Sequence, residues 1–189
     1  MPTRTTPPAA EPITLAEAKG HLRVDVADDD ALIGLLITAA RQAAEDRLQR
    51  TLITSTWQQV LDGFPACGAA IVLQMPPVVS VTGLQYRDAA GTLQTLDPSA
   101  YQLAAHHEPA QLLPVGTWPA TQAGRVGTVT VTYTAGYGAT AASVPGPIKQ
   151  WMLLAIGDMY ERRTRSAERP AVPQGFADGL LDTYRVWSL

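Results

Sequence analysis

The sequence predicts an α+β protein: a small helical core of two N-terminal helices plus a later long helix, an inserted antiparallel β region, and a flexible C-terminal tail. Three observations predict it. Apolar residues recur at helical spacing over 14–50 and again over 148–162. Between these stretches charge is sparse, Thr, Val, Gly and Pro dominate, and Gly127–Thr134 alternates with a period of two. Beyond Glu161 the chain reads RRTRSAERPAVP, too poor in apolar groups to build a core of its own.

Residues 1–12, rich in Pro and Thr, read as a flexible arm. Thr14 and Glu17 form a T-x-x-E capping box that satisfies amides left bare by a first helical turn. Leu15, Ala18 and Leu22 follow on one stripe, and this helix should end near 23–26. Asp28, Asp29 and Asp30 precede the next apolar run, where carboxylates cap free amides and suit the positive end of a helix dipole. A calcium loop is disfavoured, because its regular ligand spacing and turn glycine are missing. The second helix should run over 31–49, roughly 28 Å at 1.5 Å per residue. Leu32, Leu35, Leu36, Ala39, Ala43 and Leu48 keep the helical period, and Ile33, Ile37, Ala40 and Ala44 widen the stripe. A helix apolar over most of its girth is either central to a core or pressed against another subunit. For the second case Leu32, Leu36, Ile37, Ala40 and Ala44 are the candidate subunit-interface residues.

The helical core is thus expected over 13–50 and 144–162, with the β-rich insertion at 51–134. Strands are expected at 51–61, 70–74, 78–86, 92–96, 100–104 and 111–113, punctuated by turn signals at Asp88-Ala-Ala-Gly91 and Asp97-Pro98. In 127–134, Val129, Val131 and Tyr133 alternate with threonines, which gives one buried face and one wet or partner-facing face. Val144-Pro-Gly-Pro147 places prolines where a first helical turn tolerates them, opening the third helix. The tail occupies 163–189, with a short helix expected over 176–187.

Composition narrows the function. The 189 residues carry a formal charge of −3, which gives no sequence-wide attraction to nucleic acid. Mean hydropathy is +0.01, and only 16% of residues are charged, a lightly charged surface suited to an assembly subunit. The single Cys67 excludes an intrachain disulfide and a multi-cysteine zinc site. Residues 1–12 lack the apolar centre of a signal peptide, and no apolar run reaches the roughly 18 residues that span a bilayer. The expected location is the cytoplasm where the chain is made, with no membrane partner.

No catalyst is legible. His106-His107-Glu108 has metal-ligand residue types, but adjacent side chains diverge and lack the i, i+4 spacing of paired imidazole ligands. There is no G-x-S-x-G elbow and no phosphate loop. We therefore expect no enzyme, no cofactor and no metal. A hydrolase through His106 or His107 is the remote alternative. Arg162, Arg163, Arg165 and Arg169 form a local basic group suited to a solvated tail, an acidic partner or, repeated around a ring, DNA.

Three stretches, in this order, resemble a known family: 13–25 (ITLAEAKGHLRVD), 29–33 continuing to Leu52-Ile-Thr-Ser-Thr-Trp57, and Tyr133-Thr-Ala-Gly-Tyr-Gly138 followed by 144–150 (VPGPIKQ). The chain resembles the gp6-like head–tail connector (adaptor) proteins of tailed phages, particularly the phiE125 gp8 branch, and the adaptors of gene transfer agents. The resemblance covers roughly residues 11–165 and extends weakly to Tyr184-Arg-Val-Trp187. It implies a structural virion protein in a ring, typically a dodecamer, between the portal and a stopper or tail-completion protein, around a channel that DNA crosses without sequence-specific binding. It also implies a C-terminal segment that reaches the portal, with Arg162, Arg163, Arg165, Arg169, Tyr184 and Trp187 as docking candidates. The rival reading is a tail- or capsid-associated binding module that grips a ligand or partner through its sheet, with Trp57, Trp118 and Tyr133 as contacts.

Overall fold

The box at Thr14 closes as expected in the computed structural model, which describes residues 2–161 and 175–186. Thr14 Oγ1 accepts from the Glu17 amide at 3.2 Å, and Glu17 Oε2 accepts from the Thr14 amide at 2.8 Å. Helix α1 (Leu15–Leu22) follows and stops at Arg23, whose φ of 58° is left-handed. Helix α2 (Asp30–Leu48) ends in the same way at Gln49, with φ of 54°. Helix α3 (Gly146–Glu161) starts inside the proline-rich signal, and α4 (Gly175–Asp182) is the short helix expected near the end. α2 packs on α3, α3 on α4, and α1 on both α2 and α3. Ile33, Ile37, Ala40, Ala44 and Leu48 of α2 are buried, as are Ile148, Met152 and Ile156 of α3.

The acidic turn works differently from the sequence expectation. Asp29 is the N-cap of α2 but makes no side-chain cap. Its carboxylate accepts instead from the Tyr160 hydroxyl of α3, and Asp30 pairs with Lys19 Nζ of α1 at 2.6 Å. A phenol and a cation brought by other helices thus take the two carboxylates. The turn therefore joins three helices at one point.

The second unit is all β. By its internal contacts the chain divides into Met1–Ala9 with Thr54–Tyr137, and Ala10–Ile53 with Gly138–Leu189. The strands are β1 (Thr3–Thr6), β2 (Ser55–Leu61), β3 (Ile71–Leu73), β4 (Val78–Arg87), β5 (Leu93–Thr95), β6 (Tyr101–Ala104), β7 (Ala110–Pro114) and β8 (Val129–Ala135). They form a five-stranded sheet, order β1-β2-β8-β4-β5, and a three-stranded sheet, order β3-β7-β6. All pairings are antiparallel. β8 lies at the centre, and its period-two pattern is realised in full: Val129, Val131, Tyr133 and Ala135 are buried. They share one cluster with Trp57, Leu84, Ile71, Leu73 and Leu112, so the inner faces of both sheets build a single sandwich core. The Tyr133 hydroxyl donates to the Gln74 carbonyl at 2.8 Å, and burial pushes its ionisation above the usual phenol range. The Asp88 turn forms as read, with its carboxylate accepting from the Ala90 and Thr92 amides at 3.0 Å each.

Two features differ from the sequence reading. The segment taken as an arm contributes β1, an edge strand pairing Thr3 with Gln58 and Arg4 with Trp57. The Arg4 guanidinium sits 4.6 Å from the centre of the Trp57 ring. The strand expected from residue 51 begins only at Ser55, because Thr51, Leu52 and Ile53 are buried within the helical unit. The tail read at 163–174 and at 187–189 lies outside the described residues.

Candidate assembly interface

With no reactive constellation to describe, the functional surface is sought on α2, the longest helix. Its inner side is fixed by buried charge as well as by apolar packing. Arg41 Nε donates to Glu11 at 2.7 Å and its Nη1 donates to Glu45 at 2.9 Å. The other Glu45 oxygen accepts from the Leu52 amide at 3.0 Å, and Thr38 Oγ1 donates to Glu11 at 3.0 Å. The side chains of Arg41 and Glu45 are only 5% and 3% exposed. Burial pulls the Arg41 guanidinium down, but the Glu11 hydrogen bond and the two carboxylate charges outweigh it, so its net shift is upward. The triad thus holds the entry at Glu11 and the exit at Leu52 against α2.

This arrangement decides the fate of the predicted interface residues. Ile37, Ala40 and Ala44 are buried, and of the three Ile37 lines a surface cavity. Leu32 and Leu36 are half-buried. The face that α2 turns outward instead carries Ala31, Leu35, Ala39 and Ala43, all exposed, with Leu35 at 70%. Beside it lies a cavity of about 450 Å³, lined mainly by apolar groups that include Ile13, Leu15, Gly34, Ile37 and Ala141. Sequence reasoning missed this surface. Its signal was the i, i+4 series 31–35–39–43, which runs parallel to the buried series 33–37–40–44.

The C-terminal docking candidates divide. Arg162, Arg163, Arg165, Arg169 and Trp187 lie outside the described residues. Tyr184 is half-buried, and its carbonyl accepts from Arg50 Nε. The Val186 amide donates to the Leu48 carbonyl at 3.0 Å, and Arg47 pairs with Asp178 at 2.8 Å. The segment after α4 is therefore tied to the end of α2, and Leu181 of α4 is buried.

The remaining candidates are placed as follows. Trp57 and Tyr133 belong to the sandwich core. Trp118 stacks on Phe64 at 4.8 Å and donates to the Ala69 carbonyl at 2.9 Å. His106 and His107 are exposed, with ring centres 4.3 Å apart. Among the described residues no group of three or more metal-ligating side chains comes together. Among them, too, no helix is long and apolar enough to cross a membrane.

A family model described as phage gp6-like head-tail connector protein matches residues 12–77, which span α1, α2 and the first strands of the insertion. No curated protein matches the chain. Solved structures match over its whole length. A chain from the virion of a native gene transfer agent particle has a TM-score of 0.83 and 26% identity, covering 100% of this chain and 97% of that one. Over residues 12–77 the chain is thus similar to the gp6-like head–tail connectors. Chains from the neck of an empty gene transfer agent particle, computed with C6 symmetry, and from the neck of a native particle, computed with C12 symmetry, also match this chain. Their TM-scores are 0.82 and 0.78 at 26% and 27% identity, and each match covers 100% of this chain and 97% of the other. Each of these matches runs through both units of the chain.

Proposed function

We propose that the protein is a non-catalytic adaptor that forms a ring in the neck of a phage or gene transfer agent particle. Portal protein lies on one side, a stopper or tail-completion protein on the other, and DNA passes through the centre. The observation that carries this reading is the full-length match to chains from necks of six- and twelve-fold symmetry. Physical chemistry supports it. A ring subunit must keep apolar surface for its neighbours, and α2 keeps Leu35 and three alanines outside. A net charge of −3 suits a conduit, because a strongly basic wall would hold DNA through its phosphates.

The basic group Arg162, Arg163, Arg165 and Arg169 is the proposed portal-docking element, joined by Tyr184 and Trp187. Removing 163–189 is a poor test, because it also removes α4 and the cover it gives α3. Substituting the four arginines by glutamine leaves α4 in place. Native mass measured with and without the portal should show multiple copies bound to portal for the unaltered protein and weaker, more salt-sensitive binding for the variant. A protein that stays a monomer in the presence of portal would remove the adaptor reading.

A further inference from the structure

We propose that successive copies join head to tail on α2, with Leu35 of one copy seated in the Gly34–Ile37 cavity of the next. The proposal rests on the ring reading above and names the surface that makes the ring. Three observations lead to it. Leu35 is 70% exposed, although it is a large aliphatic group on a helix whose other long aliphatics are buried (Ile33, Ile37, Leu48) or half-buried (Leu32, Leu36). The cavity beside α2, about 450 Å³, is lined mainly by apolar residues, among them Ile13, Leu15, Gly34 and Ile37, with Glu11, Thr14 and Thr140 as its polar lining. A dry apolar cavity of roughly 150 Å³ already accommodates benzene, so this one has room for a leucine side chain and part of its flanking turn. Gly34 forms an open rim, since a side chain built there would meet nothing within 4 Å.

The directions of knob and hole select the occupant. At about 100° per residue, Leu35 points about 130° away from the mean direction of Gly34 and Ile37 around the helix axis. A two-fold contact buries the same patch on both partners, whereas knob and hole on different sides of one helix leave each copy with one of each still open. That is a heterologous contact, and it produces a closed ring when its rotation closes. The open edges left after each addition are filled by the next copy, in keeping with the six- and twelve-fold necks in which similar chains occur.

Two surface variants separate the halves of the contact. Leu35→Arg removes the knob at an exposed site and leaves the hole intact. Gly34→Leu fills the rim of the hole, leaves the knob intact, and replaces a helical glycine with a better helix former. Native mass spectrometry of the full chain, alone and with portal, reads the outcome, with circular dichroism confirming the helices. The expected result is loss of assembly for each variant alone, and for their equimolar mixture a 1:1 pair of twice the 20.1 kDa monomer mass that does not grow. That pair forms because the intact hole of one variant accepts the intact knob of the other. If both variants assemble like the unaltered protein, the α2 contact is wrong and the adaptor reading stands. If the mixture stays monomeric while the unaltered protein assembles, the contact is not knob-into-hole. If the unaltered protein never assembles, with portal or without, both readings fall.

Discussion

Replacing Arg41 with methionine removes a cation from between two carboxylates. The methionine fills much of the same volume, so the cost comes from the charges. Glu45, 3% exposed, loses the guanidinium 2.9 Å away and keeps the Leu52 amide. Glu11, 30% exposed, recovers part of its loss from water. Breaking a buried pair by removing one partner costs ~3–5 kcal/mol. For a chain of this length that lowers the melting temperature by about 6–20 °C. Far-UV circular dichroism during heating or urea unfolding reads the helical unit directly. Adding Glu45→Gln should restore more than half of the loss, because it removes the carboxylate charge and keeps an oxygen for the Leu52 amide. A loss below about 1 kcal/mol for Arg41→Met would show that the triad is not buried as described. A double variant no more stable than the single one would refute the assignment of the loss to charge.

Other outcomes follow from single contacts. Glu17 is drawn down to about 2, chiefly by its bond to Lys149 and then by the Thr14 amide. A depressed carboxylate contributes stability above its unfolded value near 4.3 and loses it as pH falls towards 2, so Glu17→Gln should flatten acid destabilisation between those limits, read by thermal melts at stepped pH. A Cβ at Gly138 would stand 2.2 Å from Ser143 Oγ and 2.6 Å from its Cβ. Gly138→Ala should therefore destabilise by ~1–3 kcal/mol, and adding Ser143→Gly should rescue it, measured by urea midpoint. Tyr133→Phe leaves the Gln74 carbonyl without its phenol donor and should cost ~1–2 kcal/mol, measured in the same way.

What the sequence made legible was local. The capping box, the Asp88 turn and the β8 alternation each form among residues within a few positions, and each is found where read. What it hid depended on distant partners. β1 has the residues TRTT and no apolar alternation, and it becomes a strand because β2 offers an edge some fifty residues later. Asp29 reads as a cap, but Tyr160 takes its carboxylate. On α2, two parallel apolar series compete for the core, and helical period alone cannot say which one turns inward. Arg41 and Glu45 decide it, because their buried bonds orient the helix so that 33–37–40–44 goes in and Leu35 stays out. The arginines of the tail and Trp187 lie outside the described residues, so their part in the candidate site is legible from sequence only.

Ile53 and Gly138 form an isolated parallel bridge. The doorway through which the polypeptide leaves the helices is thus also the doorway by which it returns. A cassette with such adjoining ends is exchangeable: trimming residues before Ala10 and closing 53 to 138 with a short turn takes nothing from the helical stem's own sequence. The sandwich can then change in sequence without altering a residue of the helical stem.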